Sequence, residues 1–151
     1  MFSVNSTQIR LFLHILGACV WLGGQIALAG VVPVLRRQAS PEVVRAVARQ
    51  FQRLAWPAFV LLLATGIWNL VEVHVGDQSS DYQVTLMVKL LWVALSGMGA
   101  GIHALMTGPS VSRAVSEADA QRRRAISGMT AGLGLLGALA AAFWGVQLHV
   151  G

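Results

Sequence analysis

Residues 11–37 read LFLHILGACVWLGGQIALAGVVPVLRR. From Leu11 to Leu35 the stretch is apolar apart from His14, Gln25 and small residues, and it stops at Arg36 and Arg37. At 1.5 Å per residue such a helix exceeds the roughly 30 Å of hydrocarbon in a bilayer. It is too long for the apolar core of a signal peptide and no basic region precedes it, so it reads as an uncleaved first span.

The rest of the chain agrees. Of its 151 residues, 56% are hydrophobic and only 11% charged, against roughly 25% charged in an average soluble domain. Mean hydropathy is +0.66. Further apolar stretches follow, and the spans fall at about residues 8–35, 54–73, 82–106 and 125–149. Open strands would leave backbone groups unpaired in lipid, so these are helices. The expected fold is all-α: a single transmembrane domain over residues 1–151, built as an integral membrane four-helix bundle.

The +5 net charge resolves into topology. Arg36, Arg37, Arg45, Arg49 and Arg53 lie between spans one and two, and Arg113, Arg122, Arg123 and Arg124 between spans three and four. Glu72, Asp77 and Asp81 mark the connection between spans two and three, which has no basic residue. The positive-inside bias puts both arginine loops in the cytoplasm and both termini outside, in a bacterial inner membrane. Arg10 is the one basic residue on the wrong side. No aromatic residues are interleaved with the arginines for base stacking, so nucleic acid is not an expected partner.

The first arginine loop carries its own helix signal. Ser40 suits the N-cap, Pro41 the first helical position and Glu42 the positive end of the dipole. Val43, Val47 and Phe51 recur at helical spacing beside the stripe Arg45, Arg49 and Arg53. This predicts an amphipathic cytoplasmic helix running into span two, with Trp56 at the interface and the arginines on lipid phosphates. Gly97 with Gly101, and Gly128 with Gly132, have the spacing of close helix packing. Packing within the bundle is the first reading of those pairs and a homodimer the second, and span four, with Gly128, Gly132, Gly134 and Gly137, is the best candidate for either.

Ionisable groups in hydrocarbon are costly, so each is a candidate functional residue. Arg10, His14, Trp21 and Gln25 share one stripe of span one. Thr65, Asn69 and Glu72 share one on span two, and Thr85, Lys89, Trp92, Ser96 and His103 one on span three. His14 and Lys89 fall at similar depth, roughly 10 Å below the outer surface. His74 and His149 sit at the outer ends of spans two and four. Imidazole ligates haem iron, copper and zinc, and a lysine amine ligates once deprotonated. Cys19 reads as a core residue. There is no Ser-His-acid or paired-carboxylate arrangement within the spans, no phosphate-binding glycine loop and no metalloprotease helix motif.

The segment Leu13-His14-Ile15-Leu16-Gly17-Ala18-Cys19-Val20-Trp21-Leu22-Gly23-Gly24 and the elements Ala55-Trp56-Pro57, Thr65-Gly66-Ile67-Trp68 and Val88-Lys89-Leu90-Leu91 resemble the copper resistance protein D (CopD-like) family of bacterial membrane proteins. The same His, Trp-x-Gly and Lys elements resemble a haem-b-containing membrane protoporphyrinogen oxidase family. The first resemblance implies copper movement across the inner membrane alongside periplasmic copper proteins. The second implies haem between His14 and Lys89, although Thr85 stands where that family carries a charged residue.

A His and a Lys at matching depth suit a porphyrin better than a ladder of soft donors for Cu(I). The leading expectation is therefore b-type haem with a redox or haem-handling role at the outer face, and a haem-dependent oxidoreductase activity with it. His14 and Lys89 would be its ligands, with Arg10, Trp21, Asn69 and Trp92 lining it. The alternative is copper binding or transport, with His14, His74 and His149 as ligands and Asp77 and Asp81 drawing cations to the mouth. A third is a non-catalytic accessory subunit. The lipid bilayer and a periplasmic redox or copper protein are the expected partners.

Overall fold

The computed structural model describes residues 5–107 and 117–150. Arg113 and the side chain of His149 lie outside what it describes. Helices make up nearly all of it: α1 (Ser6–Ala18), a π-helical turn (Cys19–Gly23), α2 (Gly24–Gln38), α3 (Pro41–Glu72), a 3-10 turn (Val75–Asp77), α4 (Ser80–Thr107) and α5 (Glu117–Val150). The chain is all-α, with four helices long and apolar enough to cross a membrane: Ser6–Gln38, Pro41–Glu72, Ser80–Met106 and Gln121–Leu148. They form two compact units, residues 1–79 and 80–151.

In the first unit, Asn5 and Gln8 start α1 with a reciprocal cap: Gln8 N–H donates to Asn5 Oδ1 at 2.8 Å and Asn5 N–H to Gln8 Oε1 at 3.1 Å. The first span is a single 33-residue helix interrupted by the π turn. At that turn the Gln25 side chain donates to the Trp21 carbonyl at 3.2 Å. Single π turns inside α-helices recur at functional sites. Nothing in the apolar pattern announced this one.

After Gln38 the chain reverses through Ala39 and Ser40, both extended, and Pro41 opens α3. Ser40 occupies the N-cap position, but its side chain closes no cap; its carbonyl takes the N–H groups of Val43 and Val44. The expected amphipathic helix is present and continuous with span two over 32 residues. Arg45, Arg49 and Arg53 are exposed along it, and Glu42 accepts from Arg45 at 2.6 Å.

The α1–π–α2 helix runs antiparallel to α3. A Cβ on Gly17 would sit 3.0 Å from the Ala58 carbonyl oxygen and 3.2 Å from the Leu62 nitrogen, so glycine sets the distance of closest approach. A Cβ on Gly24 would collide with the ring of Phe51. Between these points Trp21, 4% exposed, packs on Phe59 and Trp56 with ring centroids 4.3 and 5.7 Å away. Trp56 therefore belongs to an aromatic cluster as well as to the end of the span.

In the second unit α4 and α5 also run antiparallel. A Cβ on Gly137 would lie 2.8 Å from the Ser96 nitrogen and 3.0 Å from the Trp92 oxygen, and one on Gly99 would lie 2.7 Å from the Gly134 nitrogen. Ser96, 1% exposed, donates its hydroxyl proton to the Gly134 carbonyl at 2.8 Å. This crossing corrects the packing expected of Gly128 with Gly132. A Cβ added to Gly128 or Gly132 would meet no described atom within 4 Å, and both glycines are exposed. A four-residue spacing marks a helix face without saying which face meets a neighbour.

Candidate functional site

The polar stripe of α1 meets the polar stripe of α3. His14 Nδ1 lies 3.0 Å from Thr65 Oγ1, and Thr65 is buried. The Thr65 hydroxyl proton goes to the Leu61 carbonyl, 2.7 Å away. With that proton committed, Thr65 accepts and His14 Nδ1–H donates. The lone pair of the neutral ring then resides on Nε2, the nitrogen suited to a metal. Gly66 lets the ring lie against α3, since a Cβ there would sit 3.4 Å from His14 Cε1.

One turn toward the N-terminus, Arg10 is buried, its side chain 8% exposed, and its Nη1 lies 3.6 Å from Oε2 of the half-exposed Glu72. Glu72 also accepts from the Trp68 indole at 3.2 Å. The Arg10 pair is longer than the roughly 2.7–2.9 Å of a charge-assisted hydrogen bond. Arg10 Nε is buried with no hydrogen-bond partner among the described residues. A buried donor left so costs about 1–3 kcal/mol, and more when charged. Arg10, the basic residue that topology could not explain, thus closes the end of the helix pair against Glu72.

The other expected residues are spread along the helices. Asn69 is half-buried on α3 between Thr65 and Glu72. Trp21, within the π turn and about two helical turns past His14, is the core of the aromatic cluster. Lys89 is half-buried on α4 within the second unit, its Nζ 3.3 Å from where a Cβ on Gly145 would stand. Trp92, on the same face of α4, is half-buried, and its carbonyl lies against Gly137. His74 is exposed in the turn after α3, with φ 51° in the left-handed region and Nδ1 3.0 Å from the Glu72 carbonyl. His103 ties α4 to α5, its Nδ1 2.9 Å from the Ser127 carbonyl and 3.0 Å from the Ser127 hydroxyl.

Cys19 overturns its expectation, since it is exposed at the start of the π turn. Among the described residues no group of three or more His, Cys, Asp or Glu is arranged to hold a metal ion. The site of the first unit is an oriented imidazole rather than a closed cage. Sequence reading placed Thr65 on the right stripe without seeing that it fixes the His14 tautomer. The signal was the spacing of Thr65, Asn69 and Glu72.

The family model for copper resistance protein D matches residues 45–146, from the first turns of α3 through most of α5. The chain belongs to the copper resistance protein D family. Family membership and four membrane-length helices make it a multi-pass membrane protein. The match takes in span four, which supplied none of the resembling motifs, and it starts after His14 and Arg10. No curated protein and no solved structure matches the chain.

Proposed function

We propose that this copper resistance protein D family member binds and moves copper ions in a bacterial inner membrane. The observation that carries the reading is the family match over residues 45–146. It favours copper over the haem expectation, which no comparison supports. The copper ion is cargo, and a carrier needs contacts weak enough to release it. One imidazole, oriented through Nδ1 by Thr65, provides such a contact for either Cu(I) or Cu(II). Asp77 and the exposed His74 follow α3, on the side where the arginine asymmetry places the outside, and supply charge and a second imidazole at the entrance.

A second reading rests on the orientation of that imidazole, whose Nδ1 is held by Thr65. A porphyrin brings four nitrogen donors of its own, so a b-type haem asks the protein for one or two axial ligands. His14 would be one such axial ligand.

The test is copper accumulation by cells expressing the chain, together with the copper content and absorption spectrum of purified protein. Copper accumulation lost in His14→Ala, and copper affinity lowered about 10- to 100-fold in Thr65→Val, support the proposal. Copper levels indifferent to the protein and to both substitutions sink it. A Soret band that disappears in His14→Ala replaces it with the haem reading.

A further inference from the structure

The α1–α3 pair has a second polar feature that copper contact at His14 does not use. Two cross-helix contacts set the register there: His14 meets Thr65, and Arg10 meets Glu72. Asn69 lies between Thr65 and Glu72 on the same α3 stripe, one turn from each, and so falls at the level of Arg10. Its carboxamide is half-buried and has no hydrogen bond to a described residue. Arg10 Nε, in a side chain 8% exposed, also has no partner among the described residues. Glu72 engages only the Nη1 end of the guanidinium, loosely at 3.6 Å, and is itself half-exposed.

Two unengaged N–H donors therefore occupy one level of an apolar helix pair, one of them on a permanent cation. A guanidinium presents its Nε–H and one Nη–H as a fork that matches the two oxygens of a carboxylate or phosphate. The carboxamide adds a third N–H from the opposite helix. We infer that Arg10 and Asn69 form an oxyanion site at the α1–α3 end, taking a phosphate or carboxylate group between the two helices. Its occupant completes the hydrogen bonding of Arg10, while Glu72 balances the remaining charge from the solvent side. The site lies one turn from His14 and stands whether or not copper is the ion handled there.

The test uses the full chain in maltoside micelles, which contain no phosphate. Inorganic phosphate and acetate are titrated separately, with sodium chloride at matched ionic strength, and the unfolding midpoint is recorded. Phosphate or acetate should raise the midpoint saturably where chloride does not. Arg10→Lys keeps the charge but loses the fork, and should weaken binding at least tenfold. Asn69→Asp sets an acceptor and a negative charge where the donor stood, and should abolish it. Arg45→Lys, on the exposed arginine stripe, should bind like the unaltered chain. Phosphatidylglycerol added to the micelles separates the sources: if it raises the midpoint and cancels the phosphate response, the occupant is a lipid headgroup, and if the response persists it is a soluble anion. Absence of any saturable response to all three probes overturns the site, as does unaltered binding in both Arg10→Lys and Asn69→Asp. Should Arg10→Lys fail to fold, Asn69→Asp decides alone.

Discussion

The α1–α3 and α4–α5 pairs draw on the same apolar residue types and are both antiparallel, but they use their facing stripes differently. In α4–α5 the stripe is small. Ser96, Gly99, Gly134 and Gly137 bring backbone to within van der Waals contact, one hydroxyl bonds across to a carbonyl, and farther along His103 meets Ser127. In the first unit Gly17 allows such closeness of backbones, while Gly24 meets the Phe51 ring and Gly66 the His14 ring. The rest of the stripe is large or polar: a three-ring aromatic cluster, an imidazole held by a threonine and a buried arginine. Helix association in lipid has little hydrophobic drive, so close packing and interhelical hydrogen bonds must hold each pair. The second pair relies mainly on packing. The first sets polar groups between its helices, which is what a binding site needs.

That contrast can be broken at its sharpest point. Gly137→Leu would place side-chain atoms where the Ser96 and Trp92 backbones already stand, 2.8 and 3.0 Å from the first added carbon. Neither backbone can give way without parting the helices. The expected penalty exceeds about 3 kcal/mol, the upper end for overpacking. Size-exclusion profiles in mild detergent should show no folded protein, and a normal monodisperse peak would mean that the α4–α5 crossing is wrong.

Trp21→Ala should have the next largest effect, opening a hole beside Trp56 and Phe59. A loss of about 3 kcal/mol is expected, at the low end for a buried tryptophan because lipid competes for the exposed surface. Thermal unfolding reads it directly. A loss below about 1 kcal/mol, ordinary for a substitution that opens no cavity, would show that the rings do not hold this pair together.

The smallest effect belongs to Gly128→Leu, whose first added carbon meets no described atom. Its stability should stay within about 0.5 kcal/mol of the original. Dissociation of an oligomer in this variant would show instead that the glycine face of α5 is covered by a second copy.

Much of the fold was legible because the bilayer imposes it. The four apolar runs, the arginine asymmetry and the helix signal at Ser40-Pro41-Glu42 follow from composition and local chemistry, and the structure has a helix at each apolar run and at that signal. The polar stripe of span one was legible for the same reason, since Arg10, His14 and Trp21 recur at helical spacing and all turn toward α3. The glycines were legible in part: span four was marked as a packing helix, but not which of its glycines meet α4. Gly128 and Gly132 share the spacing of a packing motif but face away, whereas Gly134 and Gly137, three apart, form the contact. Cys19 was misread because apolar character in a membrane helix marks the lipid face as readily as the interior.

By itself, then, the sequence determined that the chain is helical, how many times it can cross a membrane, which ends its arginines favour and which stripes carry polar groups. These are properties of a helix in its solvent and need no partner. Tertiary structure alone decided that His14 meets Thr65, that Arg10 meets Glu72 and leaves its Nε unengaged among the described residues, and that Ser96 with Gly134 forms the other crossing. Each depends on the rotation and register of one helix against another, and those are set by side-chain contacts far apart in the chain.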